Sequence, residues 1–103
     1  MQICIWDSNY RFNQRWRIFK AGEVYIIKSF KTDLNLDIEG ERYEDGAKII
    51  QWHSTGGHNQ FWRFEKKNMD TYRICSWLEP TLEIGHNGSD LVIHKGQKFT
   101  WKV

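Results

Sequence analysis

Apolar and polar positions alternate in short runs along this chain, and helical spacing is nowhere persuasive. In Gln2-Ile3-Cys4-Ile5-Trp6 the alternation puts Ile3 and Ile5 on one face of a half-buried strand. In Asn13-Gln14-Arg15-Trp16-Arg17-Ile18 it sets Trp16 and Ile18 inward, and Val24-Tyr25-Ile26-Ile27 has the β-branched and aromatic make-up of a strand. Leu34-Asn35-Leu36-Asp37-Ile38 alternates again and places Asp37 on the face away from the core. The runs predict short strands near residues 2–6, 15–19, 23–29, 34–38, 47–52, 61–65, 71–77, 82–85, 91–94 and 98–103. The charged stretches 41–46 and 65–70 read as exposed loops, and His86-Asn87-Gly88-Ser89-Asp90 as a turn.

The strands repeat. Asn59-Gln60-Phe61-Trp62 echoes Asn13-Gln14-Arg15-Trp16 at an offset of 46 residues, and Lys98-Phe99-Thr100-Trp101 follows 39 residues later. Trp6 and Trp52, and Leu36 and Leu82, keep the offset of 46, while Tyr25 and Tyr72 miss it by one residue. A period of this length means one supersecondary unit used several times. The units divide the chain at approximately 1–20, 21–66 and 67–103, with Trp16, Trp62 and Trp101 expected as a threefold core layer. Four strands fall in each of the last two units and two in the first, whose opening pair is absent by count. Two neighbours of the first unit would then be left with unpaired edges and exposed core surface, which promote association. Either the chain is a piece of a longer protein, or it completes itself as a homodimer.

Composition narrows the reading. The 103 residues have room for one domain, and 40% hydrophobic with 16% aromatic content fits a packed one. With 15 basic against 13 acidic residues spread along the chain, no basic stripe marks a nucleic-acid partner. No apolar run reaches the length of a membrane span, and the first residues lack the charged and apolar regions of a secretion signal. The expectation is a chain without membrane insertion, cytoplasmic or released without a signal peptide. Cys4 and Cys75 look like small buried hydrophobes rather than a disulfide, which leans towards a reducing compartment.

Two chemistries are set aside. Glu39, Glu41, Glu44 and Asp45 cluster as hydrolytic carboxylates can, but in an exposed loop with no second wall, so no catalytic residue is expected. His53, His58, His86 and His94 lack the paired spacing of a metal site, and neither metal nor other cofactor is expected.

Leu36-Asp37-Ile38, Gly46-Ala47, the strand Ile49-Ile50-Gln51-Trp52, Gly56-Gly57 and Asn59-Gln60-Phe61-Trp62, with Gln14-Arg15-Trp16 as a second Gln-x-Trp, together resemble the ricin-B-type lectin family. The resemblance spans essentially the whole chain and is strongest over residues 34–62. It implies an all-β fold, a β-trefoil of three Gln-x-Trp-type repeats with the first one truncated, and a shallow sugar site in each well-kept repeat. Carried over residue by residue, it implies that Asp37 accepts hydrogen bonds from sugar hydroxyls, Trp52 is the aromatic platform, Asn59 a second polar contact and Gln60 the brace of the aspartate. The glutamine that the family often has two residues before the platform is Ile50 here. A secondary sugar site would use Trp6, Asn13 and Gln14, as a vestigial or partner-completed site, or would not form. In the last repeat Glu83 matches Asp37 and His94 the platform, but Lys98 and Phe99 replace Asn-Gln, so this copy is expected to be structural.

Elementary chemistry points the same way. A pyranose has one apolar face and a rim of hydroxyls, so its site needs a flat ring and a few fixed polar groups. Asp37, Trp52 and Asn59 supply both. The other reading makes Trp52 a strand-end core residue and Asp37 a turn cap. The resemblance implies a glycan of galactose type; the residues imply a pyranose. The competing function is a non-catalytic protein-interaction module such as a trefoil protease inhibitor, which would carry its specificity in a long exposed loop.

Overall fold

The computed structural model describes the backbone of residues 2–7 and 13–102 and the side chains of residues 15–102. Ten strands follow in chain order: β1 (Gln2–Asp7), β2 (Asn13–Ala21), β3 (Val24–Ser29), β4 (Asn35–Ile38), β5 (Ile49–Trp52), β6 (Trp62–Lys66), β7 (Thr71–Ser76), β8 (Leu82–Asn87), β9 (Asp90–Lys95) and β10 (Trp101–Lys102). A left-handed turn at Glu39–Glu41 and a one-turn 3-10 helix at His58–Gln60 interrupt them. Such single turns are too short to leave a helical period in the sequence.

Six strands run round a barrel, each bonded to both neighbours in the order β1, β2, β3, β6, β7, β10 and back to β1. The hairpins β4–β5 and β8–β9 hang from β3 and β7. This is an all-β, β-trefoil arrangement in which, among the described residues, the first sector has no such hairpin between its strands. Trp16, Trp62 and Trp101 are buried together with Ile27, Leu36, Ile38, Ile74, Ile84 and Ile93, the expected core layer. The indole N–H groups of Trp62 and Trp101 donate to the carbonyls of Leu36 and Ile84, at 3.4 and 3.1 Å, which ties each ring to the strand of its own hairpin.

The first sector has the expected two strands, but the first of them plays a different part. β1 pairs with β2 on one side and β10 on the other, the place that β3 holds between β2 and β6 and β7 holds between β6 and β10. The strand thus stands first in its sector, not third, and among the described residues the absent pair is the hairpin. The edges that suggested self-association are paired within the chain.

Three smaller expectations change. Strand β9 has six residues and β5 four, the reverse of the expected order. Strand β10 is cut to two residues, because the amides of Lys98 and Phe99 turn to the carboxylate of Glu83 instead of a ladder. Glu65 and Lys66, read as part of a solvated turn, end strand β6. Cys75 is buried with a free thiol, raised above its ordinary range by that burial.

Candidate functional site

Asp37 and Ile50 face each other across the β4–β5 hairpin, as do Asn35 and Trp52, so these four side chains share one face. Leu36 and Ile38 take the opposite, core face. Asp37 does point away from the core, yet it is only 4% exposed. The turn His58–Gln60 folds over this face and buries Asn59 and Gln60 against it.

The covering residues clamp the carboxylate. Asn59 Nδ2 donates to Asp37 Oδ1 at 3.0 Å and to the Ile38 carbonyl at 3.1 Å, while Gln60 Nε2 donates to Asp37 Oδ2 at 2.9 Å and to the His53 carbonyl at 2.8 Å. Gln60 Oε1 accepts from Asn35 Nδ2 at 2.9 Å and from the Thr55 amide at 3.1 Å. Each Asp37 oxygen thus receives one bond and keeps capacity for another, since a carboxylate has about four acceptor positions. Burial raises the Asp37 carboxyl above the ordinary carboxylate range; the Gln60 bond opposes this, the Glu41 charge adds to it, and His53 and Asn59 oppose it. Burial, and then the charges of Glu41, Asp37 and Glu79, push up the nearby Tyr43 hydroxyl as well.

A cavity of about 560 Å³ opens beside this clamp, lined by Asp37, Ile50, Trp52, Asn59 and the turns 39–41 and 55–57. Trp52 is 50% exposed and lines this cavity instead of filling the core. Gly57 comes close beneath Asn59: a Cβ there would stand 2.7 Å from Asn59 Oδ1. The cavity has the parts a pyranose requires, an apolar plate and acceptors held rigidly at one edge.

The family model described as ricin-type beta-trefoil lectin domain-like matches residues 1–52 and 12–90. The chain belongs to this family. Among solved structures, the lectin-like domain is similar to the designed 3-fold symmetric protein ThreeFoil, with a TM-score of 0.76 and 20% identity over 85% of this chain and 69% of that one. It is also similar to a mosquitocidal holotoxin, with a TM-score of 0.79 and 15% identity, covering 99% of this chain and 17% of that chain. At these identities the likenesses speak for the fold. A comparison with curated proteins finds no match.

The third sector of the lectin-like domain uses the corresponding carboxylate differently. Glu83 is fully buried and receives the backbone amides of Lys98 at 2.8 Å and Phe99 at 3.4 Å, where Asp37 receives the side chains of Asn59 and Gln60. The extra methylene of glutamate lets it reach the main chain. Arg73 Nε, itself buried, lies 3.3 Å from Glu83 Oε1, and His94 Nδ1 lies 2.8 Å from Oε2. Arg73 also pairs with Glu65 at 2.9 Å and donates to the carbonyls of Pro80 and Gly96. The Phe99 ring occupies the space above Gly85. With its acceptors engaged and Phe99 in the way, this position is part of the framework.

In the first sector the backbones of Trp6 and Asn13 are cross-strand partners in the barrel, and Gln14 faces Ile5. Trp6 therefore does not hold the hairpin place of Trp52, despite the shared offset. The side chains of Trp6, Asn13, Gln14 and Cys4 lie outside the described residues.

The structure brings Asp37, Trp52, Asn59 and Gln60 together. It also adds Glu39, Gly40, Glu41, Thr55 and Gly57 to the cavity wall and Asn35 to the clamp. The alternation of Asn35 with Leu36 was a signal for Asn35. Glu39 and Glu41 were visible as carboxylates, but not the turn that swings them to the cavity.

Proposed function

We propose that the chain binds a pyranose of a glycan in the cavity over the β4–β5 hairpin, without catalysis, and that the sugar is of galactose type. The observation that carries this reading is the exposed Trp52 ring and the clamped Asp37 carboxylate facing one cavity. Trp52 stacks on the apolar face of the sugar, Asp37 accepts from two hydroxyls, and Asn59 Oδ1, free of any bond among the described residues, accepts from a third donor. Gln60 holds Asp37 in place and stays beneath it. The galactose preference rests on the family resemblance. Ile50 adds apolar surface where a polar contact could stand, which supports weak, shallow binding.

A glycan array beside a protease-inhibition panel tests the reading. Array binding with no inhibition is the expected result; inhibition without glycan binding would replace it with the interaction-module reading. Self-association is a separate proposal. It rests on the sector without a hairpin, where a cleft between β5 and β9 over Trp16, walled by Ile49 and Leu91 but also by Lys48, Gln51, Asn87 and Asp90, would be covered by a second copy. Sedimentation at micromolar concentration would show a concentration-dependent dimer, or a monomer that ends that proposal.

A further inference from the structure

The charge of this cavity is one-sided. Asp37, Glu39 and Glu41 line it, and among the described residues no Lys or Arg does. Among the described residues, Glu39 and Glu41 make no ion pair, whereas Glu44 pairs with Arg42, Glu65 with Arg73 and Lys67, and Glu83 with Arg73. The chain holds Glu41 there at φ 55°, directly after Gly40 at φ 64°. A non-glycine residue in that left-handed region is uncommon and is retained against its cost by the surrounding structure. Asn59, only 8% exposed, lines the same space, and its Oδ1 lies over Gly57 with no hydrogen bond among the described residues. The wall thus offers acceptors, negative charge and the Trp52 indole, and among the described residues no Lys or Arg side chain.

We propose that this site prefers a sugar bearing a protonated amine, a 2-amino hexose of galactose type, over the neutral sugar, and the neutral sugar over an acidic one. The inference rests on reading the cavity as a pyranose site and adds the charge of its ligand. An ammonium gains from three carboxylates at once and from the Trp52 ring, whose face attracts cations. Its three N–H donors can meet Asp37 and Asn59, which accept. A carboxylate on the sugar would be repelled by all three acidic side chains. Because Glu39 and Glu41 are exposed and their fields are screened by salt, the preference is modest, about three- to tenfold for amine over hydroxyl at low ionic strength.

The test titrates the whole chain with galactosamine, galactose and galacturonate at one fixed pH, which holds the charge of the neighbouring His53 constant, at low and high salt. Affinity is expected to fall in that order, and the galactosamine-to-galactose ratio to shrink towards one at high salt and in the Glu39→Gln, Glu41→Gln double variant. Circular dichroism establishes that the variant is folded. Equal affinity for galactosamine and galactose overturns the charge preference and leaves the sugar site standing, as does a ratio that survives in the double variant. Absence of binding by all three sugars overturns both.

Discussion

Gln60 Nε2 stands 2.9 Å from Asp37 Oδ2, and the bond can run in one direction only. The other end of the Gln60 amide accepts from the Thr55 N–H, a group that can only donate, while Nε2 also serves the His53 carbonyl, which can only accept. The orientation of Gln60 is therefore dictated by main chain, and it demands an acceptor at position 37.

Gln60→Leu keeps the volume and removes all four bonds. It leaves Asn35 Nδ2, the Thr55 amide, the His53 carbonyl and one Asp37 oxygen short of partners, and should cost about 2 to 4 kcal/mol. Urea unfolding measures the loss. A stability equal to the parent would mean that the clamp contributes nothing to the fold.

The raised Asp37 carboxyl gives binding and stability opposite pH dependences. Folded Asp37 holds its proton more readily than the unfolded chain does. Its contribution to stability is thus full below the ordinary carboxylate range and is lost as pH rises through the raised value. Sugar affinity runs the other way and falls as pH drops through the same window, because a protonated carboxyl has lost acceptor capacity. Titrating affinity and urea stability over acid to neutral pH should show both trends, and Asp37→Asn should remove this component from the stability curve. Affinity rising towards acid pH would contradict the role given to Asp37.

Glu83 looks like Asp37 in sequence and should behave unlike it. Glu83→Ala strands the buried Arg73 guanidinium and the amides of Lys98 and Phe99, at a cost of about 3 to 5 kcal/mol. A milder Glu83→Gln keeps part of the network and leaves glycan affinity in place once the protein is folded. Lost affinity in folded Glu83→Gln would return the third sector to the list of binding sites.

Gly85 has ordinary backbone angles, yet a Cβ on it would lie 2.5 Å from the Phe99 ring. That ring is held between His86 and His94, each with its centroid 5.3 Å away, so it has little room to withdraw. Gly85→Ala should destabilise by about 1 to 3 kcal/mol, read from urea or thermal unfolding. A neutral effect would mean that Phe99 moves freely.

Most of the fold was legible because a strand's face alternates with period two and each sector repeats a Trp at its end. Asp37, Trp52, Asn59 and Gln60 were named through the family resemblance, and the structure brings them together around one cavity and its clamp. The burial of Asp37 was not legible, because alternation tells which face a residue takes and not that a turn 22 residues later covers that face. The offset of 46 equated Trp6 with Trp52 because it counts residues; β1 instead pairs as a barrel strand, which only the hydrogen-bond partners of β10 reveal. Glu39 and Glu41 reach the cavity through a single left-handed turn, a feature with no period to detect.

Removing the Trp52 ring tests the central claim most directly. Because Trp52 is half exposed, Trp52→Ala should leave the fold within about 1 kcal/mol of the parent. Its glycan affinity should fall about tenfold or more, which corresponds to about 1.4 kcal/mol. Array-identified ligand titrated into parent and variant gives the comparison. Unchanged affinity in a folded Trp52→Ala protein would contradict the account and place the sugar elsewhere.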